Sequence, residues 1–136
     1  MIKMSEILRN AKLEDQSKEI QDNLAILLER VNKVRAAYGK PMIVTSGLRT
    51  MEDHLRIYRE KGITDQSKIP MRSRHLFGQA VDISDPNGAL YKWSQDNEPM
   101  LLSIGLWLER GTKGWVHFQI VPYGSYKPGN SIFFNP

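Results

Sequence analysis

The chain has 136 residues, enough for one domain whose core needs no disulfide staples. It has no cysteine, which excludes disulfide scaffolds, thiolate metal sites and thiol nucleophiles, so any metal must sit on His, Asp or Glu. The 19 Lys and Arg against 15 Asp and Glu give a net charge of +4, scattered without a basic stripe. That balance favours an anionic partner such as a cell wall only weakly and gives no specific sign of nucleic-acid binding.

From the N terminus, Met1 to Arg9 has no long apolar run after its basic residue, so no secretory signal is expected. No run reaches the roughly 18 apolar residues of a membrane span, and a soluble protein made without an export signal is expected. Met4 to Asn10 predicts a short helical turn, with Ser5 as its cap. Lys18 to Tyr38 predicts a long helix, because Ile20, Leu24, Leu27, Leu28, Val31 and Val34 share one face and Gly39-Lys40-Pro41 supplies the stop. Met42 to Ser46 is a short β-prone run ending at Gly47. Thr50 caps a helix over Met51 to Lys61, and Ile63 to Arg74 reads as a loop. Ala80 to Ser84 is a strand, and Asp85-Pro86-Asn87-Gly88 is a turn. Two short helices, Ala89 to Gln95 and Met100 to Ile104, lead to strands at Leu106 to Glu109 and Trp115 to Val121, joined as a hairpin. The tail from Pro122 reads as mostly irregular. This order predicts a single α+β domain over residues 1–136, with a small antiparallel sheet packed against helices.

Within it, Ser73-Arg74-His75-Leu76-Phe77-Gly78-Gln79-Ala80-Val81-Asp82 brings a histidine and an aspartate together as a loop passes into an apolar strand. Gly78 permits the tight path that this requires. A carboxylate at Asp82, among Ala80, Val81 and Ile83, is expensive to bury without a cation or strong hydrogen bonds. His117 lies in the aromatic-rich run Trp115-Val116-His117-Phe118. Two imidazoles and a carboxylate form a ligand set for a catalytic zinc that keeps a fourth position for water. Spacing alone leaves open the alternative that these histidines are packed and hydrogen-bonded without metal. His54, in a helical stretch with no partner pattern, reads as surface or packing.

The block Ser73-x-His75-x-x-Gly78-x-Ala80-x-Asp82, followed by Trp115-Val116-His117, resembles the zinc D-alanyl-D-alanine carboxypeptidase family. That family also holds L-alanyl-D-glutamate endopeptidases of phage endolysins and shares its core fold with the hedgehog signalling domain. Thr45-Ser46-Gly47-Leu48-Arg49-Thr50 resembles its Ser-Gly-Tyr-Arg motif, with Leu48 in place of the aromatic. The resemblance runs from residue 45 to 118. It implies a hedgehog-like fold, Zn2+ on His75, Asp82 and His117, Arg49 facing substrate and polarised oxygens, and Ser73 beside the bound peptide. The implied substrate is a stem peptide of peptidoglycan, cut by a monomeric carboxypeptidase or endopeptidase. A phage endolysin is compatible, cytoplasmic until released, as is a virion-associated lysin.

The pattern breaks at Gly114. Many family members place an Asp or Glu there, three residues before the last histidine, as the base for the attacking water. Glu109 is the substitute candidate. If the hairpin turns about its loop centre, residues 109 and 117 lie opposite and project from one face, with Cβ atoms about 5 Å apart. Asp85 is the runner-up, although its turn explains it fully. The alternatives are a zinc module that binds wall peptides or a protein partner without cutting, which Gly114 favours, and a metal-free structural or nucleic-acid-binding domain.

Overall fold

The computed structural model describes all residues, Met1 to Pro136, and its helices start where local chemistry satisfies free backbone N–H groups. Helix α1 is Met4–Leu8; Lys3 precedes it, and the Glu6 carboxylate accepts from the Lys3 amide at 3.0 Å, so Ser5 is not its cap. Helix α2 is Lys18–Tyr38. The Ser17 hydroxyl accepts from the Ile20 amide at 3.2 Å, and Gly39 closes the helix in the left-handed region at φ 76°. Leu24, Leu27, Val31 and Val34 are buried, while Ile20 and Leu28 pack at the edge of the core.

Strand β1 is Val44–Ser46, and α3 is Met51–Glu60, capped by the Thr50 hydroxyl. The stretch expected as a loop carries a short 3-10 turn, Gln66–Lys68, and a second, Arg74–Phe77, starts at its last residue. Then follow β2 (Ala80–Asp85), α4 (Ala89–Asp96), α5 (Glu98–Ile104), β3 (Trp107–Glu109) and β4 (Gly114–Gln119). The tail is not all irregular, for Phe133–Phe134 forms β5.

The five strands lie in the order β1-β2-β4-β3-β5. All pairs are antiparallel except β3 with β5, so the sheet is mixed rather than wholly antiparallel. The tail doubles back and runs beside β3, where the Leu108 amide donates to Ile132 and the Arg110 amide to Phe134.

Strand alternation divides the sheet into two faces. Val81, Ile83, Leu108, Val116 and Phe118 are fully buried and join the α2 core. Asp82, Glu109, Trp115, His117 and Gln119 project to the other face. Arg30 of α2 donates to the carbonyls of Gly105 and Ile120, at 2.9 and 3.0 Å, and ties the helix layer to the ends of α5 and β4.

Candidate metal centre

The site is a rung across three strands. Asp82 of β2 is the direct partner of His117 of β4. Strand β3 pairs Trp107 with Gln119 and Leu108 with Phe118, and continuing that register sets Glu109 opposite His117. Asp82, His117 and Glu109 therefore stand side by side on one face. His75 joins from the 3-10 turn before β2. Gly78 ends that turn at φ 69°, against the Leu24 side chain of α2, where a β-carbon would press.

The hydrogen-bond network fixes both imidazole tautomers. The Gln119 amide nitrogen donates to the Val121 carbonyl at 2.9 Å, which leaves its Oε1 to accept from His117 Nε2–H at 2.9 Å. His117 Nδ1 then carries a lone pair, 2.9 Å from Asp82 Oδ1 and 3.7 Å from Glu109 Oε1. His75 Nδ1–H donates to the Gly47 carbonyl at 2.9 Å, so its Nε2 lone pair faces Asp82 Oδ1 at 3.3 Å. Gly47 is held against α1, where a side chain would run into the Ile7 carbonyl.

Two lone pairs and a carboxylate oxygen thus converge, all within 4.8 Å of one another. Such an arrangement needs a cation between its members, either protons or a metal. Tetrahedral zinc ligands at about 2.05 Å stand about 3.3 Å apart, so these separations and this N/N/O donor set fit zinc. The Gln119 and Gly47 oxygens that orient the rings are the outer partners such ligands need.

Electrostatics point the same way. Burial pushes the Asp82 carboxyl up, but hydrogen bonds from His117 and His75 in their protonated, charged forms outweigh it and hold Asp82 well below the usual carboxylate range. Burial pulls His117 down, yet the bond to Asp82 and the nearby Glu109 charge raise it above the ordinary imidazole value.

Around the donors lies a cleft of about 1020 Å³ that also takes in Arg49, Ser73, Glu109, Trp115 and the tail residues Tyr123 and Phe134. The Arg49 guanidinium sits 4.0 Å from Asp82 Oδ2 and donates from Nε to the Ser46 hydroxyl at 3.1 Å. Ser73 lines the cleft half-buried, and its hydroxyl makes no hydrogen bond within the chain.

Asp85 does not serve this cleft. It is buried on the opposite face and accepts from the Leu90 and Tyr91 amides at the start of α4. Gly114 sits at φ 94°, a left-handed conformation that disfavours a carboxylate side chain there. His54 is fully buried and packs beneath the cleft, where Nε2–H donates to the Pro70 carbonyl at 2.8 Å and burial lowers its pKa. Gln119, Tyr123 and Phe134 were not anticipated. Gln119 had a legible signal, two positions beyond His117 on the same strand face; the two aromatics, brought in by the tail, had none.

A family model described as Peptidase M15 matches residues 2–118. No curated protein and no solved structure matches the chain.

Proposed function

Because this chain belongs to the peptidase M15 family, whose members are zinc-dependent, we propose that it hydrolyses stem peptides of peptidoglycan through a zinc held by His75, Asp82 and His117. The observation that carries this reading is the pair of tautomer-fixed imidazoles aimed at one carboxylate oxygen. When bound, zinc supplies Lewis acidity that polarises a peptide carbonyl and acidifies water.

The chain's own groups supply the rest. Glu109 Oε1, on the same face 3.7 Å from His117 Nδ1, takes a proton from the attacking water and returns it to the leaving amine. Arg49, braced by Ser46, faces the oxygen on which negative charge develops and binds substrate carboxyl or carbonyl groups. The free Ser73 hydroxyl meets the peptide backbone at the cleft wall. Carboxypeptidase and endopeptidase action are both compatible with this reading, as is a role as a monomeric phage endolysin or virion-borne lysin.

The experiment is muropeptide release from purified peptidoglycan by zinc-loaded protein. Glu109→Gln should lower turnover by about 10²- to 10⁴-fold with its zinc content unchanged. Equal turnover by the variant would remove Glu109 as the base. The second reading, a zinc module that binds without cutting, is favoured by Gly114; it stands if zinc-loaded wild type binds wall peptides and releases nothing.

A further inference from the structure

A five-residue helix such as α1 does not stand alone in water, and this one is fastened at both ends. Ile7 is fully buried and Ile2 nearly so, while Met4 and Leu8 pack at the edge of the core. Asn32 of α2 grips the Ile2 backbone twice. Its Oδ1 accepts from the Ile2 amide at 2.8 Å, and its Nδ2 donates to the Ile2 carbonyl at 3.0 Å. At the other end Arg9 stands at φ 58°, a conformation disfavoured for a residue with a β-carbon, and its guanidinium donates to the Val44 carbonyl at 3.0 Å. Backbone strain of this kind persists only where its surroundings hold it in place.

What α1 holds in turn is one peptide plane. The Ile7 carbonyl accepts from the Leu48 amide at 2.8 Å. The N–H of Leu48 and the C=O of Gly47 belong to the same trans peptide unit, so they point in opposite directions from a rigid plane. The Gly47 carbonyl takes the His75 Nδ1–H at 2.9 Å, and the His75 carbonyl accepts from the Arg49 amide at 3.1 Å. The plane is gripped by α1 on one side and by a metal-facing imidazole on the other. Glycine leaves it free to flip when unheld, and a flip would turn the acceptor away from His75.

We infer that α1 is a latch on the metal centre: docked, its Ile7 carbonyl fixes the Gly47–Leu48 plane that orients His75; undocked, it leaves the imidazole without its acceptor and the centre with a weaker hold on zinc. The latch rests on the zinc site of the proposed peptidase and extends its control to a helix outside the cleft. Ile7 is a positioning residue, acting on the donors only through Gly47 and His75. Such coupling is reciprocal, so bound zinc must hold α1 down by the factor with which docked α1 strengthens zinc.

Chelator competition measures zinc affinity in wild type, Ile7→Ala and Asn32→Leu. Neither residue lines the cleft, and each substitution should weaken zinc about tenfold, while Ile7→Val should stay near wild type. Leu101→Ala, an equally buried change in α5, should lower Tm with zinc affinity unchanged. The second measurement is amide hydrogen exchange in wild type. Zinc should slow Leu48 and Ile2 by a similar factor and leave Asn97, just before α5, as it was. Unchanged affinity in Ile7→Ala and Asn32→Leu, a matching loss in Leu101→Ala, or Leu48 exchange indifferent to zinc would overturn the latch. If the variants do not fold, wild-type exchange decides alone. A wild type that takes up no zinc sinks the metal reading and the latch together. Zinc uptake with unaltered affinity in the variants sinks the latch and leaves the peptidase reading standing.

Discussion

Gln119 stands in the cleft beside His117 and decides which nitrogen of that ring carries the proton. Its amide is turned by the Val121 carbonyl, and that orientation leaves Nδ1 bare toward Asp82. Gln119→Leu should therefore weaken zinc binding about 10- to 100-fold, read by chelator competition, and Gln119→Glu, which keeps the acceptor, should restore it. Unchanged affinity in the leucine variant would show that the ring is oriented by packing alone. At this scale the sequence was informative where a side chain's chemistry and its spacing agreed. His75, Asp82, His117 and Arg49 stand together as their motifs implied. The burial of His54 was not legible, because it depends on residues 63–73 folding over α3 to present the Pro70 carbonyl, a contact no helical period encodes.

The β3–β4 hairpin carries the proposed catalytic pairing at the scale of elements. Its register sets Glu109 against His117, and a slip of one residue would turn Glu109 into the core face. Gly114 starts β4 at φ 94° with open space around it, so the obstacle to a side chain there is the backbone and not crowding. Gly114→Ala should cost about 1–2 kcal/mol of stability by thermal or denaturant unfolding. Gly114→Glu should be destabilised likewise and should not restore cleavage to Glu109→Gln. Recovery of activity in that double variant would show that position 114 remains a working site for the base. Helix α2 and this hairpin were readable from periodicity and turn residues. Strand β5 was not, since two residues, Phe133 and Phe134, carry no alternation to detect and owe their pairing to β3.

Proton linkage acts on the whole molecule. In chelator-treated protein, His117, raised in the fold, contributes stability below the ordinary imidazole range, lost as pH rises through its raised pKa. Asp82, lowered in the fold, contributes stability above the ordinary carboxylate range, lost as pH falls through its depressed pKa. For these two groups, metal-free stability is greatest between roughly pH 4 and 6.5. Zinc must displace the proton from His117 Nδ1, so its stabilisation grows with pH. Calorimetric Tm with and without zinc should differ little at pH 5 and widely at pH 8. The same difference at both would sever His117 from metal uptake. The α+β class and the layered core were legible across the whole chain. The cleft's outline was not, because its aromatic wall comes from a segment whose Gly, Pro and Asn content masks where it goes.

That wall has a consequence in time. Ribosomes deliver the chain N terminus first, so Arg49, His75, Asp82, Glu109 and His117 all emerge before Phe133 and Phe134. A nascent chain carries every metal donor while β3 still lacks its outer neighbour and the cleft its second side. The groove is completed only when Phe133 and Phe134 pair beside β3, after every candidate metal donor has been made.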